Sequence, residues 1–108
     1  MIDFNELKLQ EVEHFKNGEG ICRMKMVDDK KVKIIKSVIE KGVSSGEHIH
    51  ENSAEIIYVL SGRGHFFLDG KEEVLVEGQV HYCPLGHSHH FKNEDEEPLI
   101  LLCVVPQF

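Results

Sequence analysis

The histidines are where this sequence can do chemistry. There are 8 in 108 residues, and His48, His50, His81, His87, His89 and His90 fall in two clusters. In His48-Ile49-His50 the imidazoles stand two positions apart. On a strand such residues share a face, so both rings enter one space while Ile49 turns away. Glu55 follows Glu51-Asn52-Ser53, a turn by composition, and a hairpin-like return places its carboxylate beside the two rings. His89 comes from a different strand, after Pro84-Leu85-Gly86. Three imidazoles and one carboxylate suit a single divalent transition metal (Mn, Fe, Ni, Co, Cu or Zn) and suit Ca or Mg poorly. Four protein donors leave one or two positions open on a five- or six-coordinate ion, where water, oxygen or a chelating substrate binds.

Strands must carry these side chains, and the chain is patterned for strands. From Ile21 onward the apolar period is two and the turns are short, which predicts an all-β domain. Ile21 to Val27 sets Cys22, Met24 and Met26 against Ile21, Arg23, Lys25 and Val27. Val32 to Glu40 is rich in β-branched residues, and Ala54 to Leu60 is a strong strand. His65 to Leu68 and Glu72 to Val76 flank Asp69-Gly70, a tight-hairpin pair. Gln79 to Cys83 follows. Leu99 to Val105 is a continuous apolar run, which predicts a strand covered on both faces. Asn5 to Phe15 reads equally as a helix, with Leu7, Val12 and Phe15 on one side, or as an alternating strand. Roughly eight to ten strands with turns every ~8–12 residues predict a sandwich or barrel. The expected organisation is one domain over residues 1–108, with residues 1–20 as an N-terminal extension or edge strands.

The spacing around the four donors is more telling than the donors alone. Gly42, five residues, His48, one, His50, four, Glu55, six and Gly62 form one block. Gly78, five residues, Pro84, one, Gly86, two, His89, three and Asn93 form a second. Ten fixed positions would coincide by chance at roughly 10⁻¹² per placement at average residue frequencies. The pair of blocks resembles the two signature motifs of the cupin superfamily, over residues 42–93. The resemblance implies a small antiparallel β-barrel, the double-stranded β-helix or jelly roll, open at one end. It also implies that His48, His50, Glu55 and His89 are the metal ligands. The glycines then serve as strand-end turns, Pro84 fixes the approach to the loop before His89, and Asn93 satisfies backbone groups at the turn that follows. The 15 residues between the blocks leave room for one hairpin.

The remaining candidates carry weaker expectations. His87 is positioned to share the ligand face as a supporting or proton-transfer group, His90 is expected outward, and His65 and His81 are ordinary. Tyr58 and Phe91 are expected to pack the barrel wall. Of the adjacent Phe66 and Phe67, one should face in and the other out. Cys22, Cys83 and Cys103 sit in apolar runs and read as buried thiols of a reducing compartment, with a ligand role for Cys83 left open.

Composition bounds the function. The formal net charge of −7, without a Lys/Arg cluster, argues against nucleic acid and anionic membranes as partners. No apolar run is long enough for a membrane span and the N-terminus lacks a signal pattern, so the expected location is cytoplasmic. Two functions are open. One is a small metalloenzyme of dioxygenase, isomerase or lyase type acting on a chelating, oxygen-rich substrate. The other is a non-catalytic module that binds or senses a sugar or small acid. Arg23 and Arg63 are the only arginines, which does not suggest a phosphate clamp. The apolar Leu99–Val105 run points to a homodimer.

Overall fold

The computed structural model describes residues 1–108. It has ten strands: β1 (Gln10–Glu13), β2 (Ile21–Asp28), β3 (Val32–Ile39), β4 (His48–Ile49), β5 (Glu55–Ser61), β6 (Arg63–Leu68), β7 (Lys71–Val76), β8 (Val80–Cys83), β9 (Ser88–Lys92) and β10 (Leu99–Pro106). They form a six-stranded sheet, β1-β2-β3-β10-β5-β8, and a four-stranded sheet, β4-β9-β6-β7. Every pairing is antiparallel. The expected all-β jelly roll is what the chain forms.

Alternation explains which side of each strand is inside. Ile35 and Ile39 of β3, Ile57 and Val59 of β5, and Leu99, Leu101, Cys103 and Val105 of β10 meet Phe66 of β6 and Phe91 of β9 in one core. Each such side chain contributes roughly 1.5–3 kcal/mol when fully buried. Phe66 is inside and Phe67 outside, as their adjacency requires. All three cysteines are free and buried. The hairpin between β6 and β7 turns through Asp69 (φ 50°) and Gly70 (φ 82°), the paired positive angles of a two-residue connection. Asn93 binds the turn after β9: its Nδ2 donates to the carbonyls of Ile39 and Glu97, and its Oδ1 accepts from the Asp95 amide.

One open reading is decided and two expectations need correction. Residues 5–15 hold no α-helix: a 3₁₀ turn at Phe4–Glu6 leads to β1, which pairs with β2 through Val12 opposite Cys22. Only three of the four apolar residues, Leu7, Val12 and Phe15, could share a helical face, an incomplete stripe, whereas pairing satisfies the backbone groups along the β2 edge. Second, β10 is buried on one face only: Leu99, Leu101, Cys103 and Val105 are inside, while Ile100, Leu102 and Val104 are half-buried on the outer face. Third, Tyr58 is 39% exposed on that outer face, while Phe91 does pack the core.

The N-terminal segment also braces the site. A second 3₁₀ turn, Phe15–Asn17, lies against the chain leading into β4. The approach is so close that a Cβ on Gly18 would lie 2.1 Å from the Ser44 carbonyl oxygen, and one on Gly46 would lie 1.8 Å from that of Lys16. Only glycine allows the two backbones to touch there.

Candidate metal centre

Three strands and one loop bring the four donors together. His48 on β4 sits opposite His89 on β9 in register. His50 follows β4 directly, with Ile49 between them 59% exposed. Glu55 opens β5, opposite Cys83 of β8, after the chain returns through Ser53. The donor atoms of all four residues lie within 4.8 Å of one another.

The convergence is close. The Nε2 atoms of His50 and His89 are 2.9 Å apart, and those of His89 and His48 are 3.1 Å apart. Glu55 Oε1 is 3.1 Å from the Nε2 of both His50 and His89. Neighbouring corners of an octahedron with metal–nitrogen bonds of about 2.1 Å are about 3.0 Å apart, against about 3.4 Å for a tetrahedron. The spacing therefore fits a six-coordinate ion better than a four-coordinate one.

The outer nitrogens show which inner ones carry lone pairs. His48 Nδ1 lies 2.8 Å from the Gly46 carbonyl oxygen, which only accepts, so this nitrogen holds the proton and Nε2 is bare. His50 Nδ1 is 2.6 Å from Ser53 Oγ. His89 Nδ1 is 3.1 Å from His81 Nε2, and His81 Nδ1 is 2.7 Å from Glu73 Oε1. The Glu73 carboxylate accepts, so in neutral His81 the proton is on Nδ1 and Nε2 is the acceptor. His89 must then donate from Nδ1, which leaves its Nε2 bare as well. Bare imidazole nitrogens about 3 Å apart repel unless a cation sits among them, so the donor set fits a metal ion.

Electrostatics agree. Burial pushes the His48 imidazole below its usual range, favouring the neutral form that a metal needs, although its bond to Gly46 opposes this. Burial alone would raise the Glu55 carboxyl, but in the metal-free protein hydrogen bonds and charge from His50 and His89 in their protonated form, which a bound metal would replace, override it and hold it at about 2. Burial also lowers His81, against the pull of Glu73.

The centre opens onto a cavity of about 380 Å³. Its walls include Phe15, Met24, Met26, Ile35 and Val105, with Lys16, Lys33, Asn52 and Gln107 among its polar lining. A shallower depression of about 740 Å³ lies between Arg63 and Glu97. It holds no histidine, and Arg63 there is already paired with Asp95 at 3.1 Å, so the donor cluster is not in the larger hollow.

The other histidines separate. His81, expected to be ordinary, is fully buried against His89. Its alternation with Cys83 in β8, whose even neighbours face outward, would have placed it inside but not beside a ligand. His87, for which the sequence leaves a place on the ligand face open, turns its Nδ1 to Asp69 Oδ2 at 2.6 Å on the surface, because Pro84-Leu85-Gly86 delays the strand until Ser88. Only its backbone serves the site, where its carbonyl accepts from the His50 amide. His65 pairs with Glu72 and Glu94 outside, and His90 stacks on Phe67 on the outer surface. Cys83 is directed at the carbonyls of Pro84 and His87, and burial raises its thiol to about 11, which keeps it protonated.

Comparison with known proteins agrees with the architecture. The chain is 27% identical over 107 residues to an oxalate-binding protein of Thermotoga maritima, covering 94% of this chain and 88% of the relative. A crystal structure from the same organism, described as a predicted oxalate decarboxylase, superposes with a TM-score of 0.93 at 25% identity, covering 100% and 99% of the two chains. A sugar phosphate isomerase of Silicibacter pomeroyi, at 19% identity and TM-score 0.82 over 100% of this chain and 76% of that one, shares the fold. No helix is long and apolar enough to cross a membrane. The cupin domain family matches residues 36–105, and with this match and the jelly roll around it, the chain belongs to the cupin family.

Proposed function

We propose that this cupin holds one divalent transition metal through His48, His50, Glu55 and His89 and binds a small anionic oxyacid on it. The observation that carries this reading is the convergence of the four donors, of which His48, His50 and Glu55 line a cavity that Lys16, Lys33 and Glu51 also line. The metal would act as a Lewis acid toward a chelating substrate. Lys16 and Lys33 supply positive charge for a carboxylate, and Met24, Met26 and Ile35 supply an apolar wall. The cavity lies at the small end of ligand pockets, which matches a compact substrate. Arg23 and Arg63 are paired with Glu11 and Asp95 and line no part of it, so an arginine phosphate clamp is not built here. Oxalate, named for the Thermotoga relative, is the first compound to test.

That relative's name describes binding, and it supports a second reading in which the protein captures or senses such an acid without turning it over. One experiment separates the two. The protein is purified from its own host, its metal content is measured, and oxalate consumption and oxygen uptake are followed. We expect about one metal per chain and loss of substrate with time. Stoichiometric oxalate binding without turnover would favour the sensor, and a metal-free protein that binds no added Mn, Fe, Ni, Co, Cu or Zn would sink the site.

We also propose a homodimer through the outer face of the six-stranded sheet. Ile56, Tyr58, Val80 and Tyr82 are each 39–53% exposed there. Register sets Leu102 beside Tyr58, Val104 beside Ile56 and Ile56 opposite Tyr82. A contiguous apolar patch on a sheet face is the kind of surface that a second copy of the chain covers. Light scattering should give twice the chain mass at micromolar concentration; a monomer refutes the dimer.

A further inference from the structure

We infer that His81 and Glu73 are positioning residues of the metal centre, forming a carboxylate–imidazole–imidazole chain that fixes which nitrogen of His89 faces the metal. This rests on the metal reading above.

The three ligand histidines are held in different ways. His48 and His50 take partners within three residues in sequence, the Gly46 carbonyl and the Ser53 hydroxyl. His89 has no such neighbour. Its support comes from the other sheet, through His81 Nε2 at 3.1 Å, and His81 is in turn held by Glu73 Oε1 at 2.7 Å. The His81 and His89 rings are nearly parallel, 6° apart with centroids at 5.3 Å, and Phe66 lies against His81 at 5.0 Å. His81 is fully buried, so it cannot exchange these partners for water. Glu73 stands opposite Phe66 in register and therefore faces inward, yet its side chain is 45% exposed.

Partners on the outer nitrogen of a metal-bound imidazole orient the ring, select its tautomer and raise its basicity. Here the orienting carboxylate is one imidazole further out. An inward charge on the edge strand β7 could by itself serve only to deter strand pairing, and such a role would leave metal binding untouched.

The test uses zinc as the probe, in competition with a chromophoric chelator, on isotopically labelled protein. Nitrogen-15 correlation spectra give the histidine tautomers with and without zinc. His81→Phe should lower zinc affinity about 10–100-fold, and Glu73→Ala by a smaller factor in the same direction. His81→Gln, whose amide can both accept from His89 and donate to Glu73, should recover part of the loss. Glu72→Ala, on the neighbouring position, should bind as the parent does. The parent should show His81 and His89 protonated on Nδ1, and Glu73→Ala should mix the tautomers. If His81→Phe fails to fold, Glu73→Ala alters a half-exposed side chain and carries the test. Parent-like affinity and tautomers in folded Glu73→Ala overturn this inference alone. A parent protein that binds no zinc overturns it together with the metal reading.

Discussion

The eight histidines form two sets that differ in what their rings face. His48, His50, His81 and His89 gather inside the barrel beside the cavity, where each outer nitrogen meets a carbonyl, a hydroxyl, an imidazole or a carboxylate. His14, His65, His87 and His90 lie at turns and on outer strand faces. Of these, His65 and His87 pair with carboxylates that are themselves about half exposed, and His14 meets the Gly18 carbonyl. The side chain is the same, and for His14, His65 and His87 water makes the difference; His90 departs from this, its Nδ1 being buried without a partner. A rim pair is screened and interchangeable with solvent, whereas a buried ring must have each nitrogen accounted for by protein or by an ion.

The contrast breaks first if ligand and rim residues respond alike. His89→Ala or Glu55→Ala should cost more metal affinity than the about 100-fold upper range for loss of a supporting partner, measured by chelator competition. Unchanged occupancy in both would remove the site. Acid should separate the sets next. Protons compete with the metal for imidazole nitrogen, so bound metal should leave as pH falls through and below about 6.5, followed by metal analysis after dialysis. In metal-free protein the sign is set by Glu55. Its carboxyl is lowered from 4.5 to about 2 in the fold, so it stabilises the fold above about 4.5 and that contribution is lost as pH falls from 4.5 toward 2. Urea unfolding across that range should show a slope that Glu55→Gln makes shallower, the remainder coming from Asp29, Asp69 and Glu94, whose carboxyls are also lowered.

Smaller effects sharpen the comparison. Gly46→Ala drives a Cβ into the Lys16 carbonyl and disturbs the backbone that holds His48. We expect about 1–3 kcal/mol of lost stability in urea unfolding, together with weaker zinc binding; a parent-like curve would mean the 14–18 segment does not brace the site. The smallest effect belongs to the rim. His87→Ala should leave zinc affinity and the unfolding midpoint where they were, although the ring is only two positions from His89.

The architecture was largely readable along the chain. Period-two alternation, Asp69-Gly70 and the strand-end glycines lie within a few residues of the structures they specify, and the donor spacing in the two blocks carried the resemblance that named His48, His50, Glu55 and His89. Local spacing left His87 open, because a turn shifts alternation by a position that composition does not record. It also left Asn5–Phe15 undecided, since the partner that makes Gln10–Glu13 a strand is the β2 edge.

What the sequence determined by itself was thus the class of fold, the turns and the four donors, all set by backbone periodicity and side-chain chemistry at short range. The tertiary structure alone decided which face of β10 stays open, that Tyr58 faces out, and that Glu73 and His81 reach His89. Those outcomes depend on contacts between separate strands, or between the two sheets, and the packing of a closed core selects them.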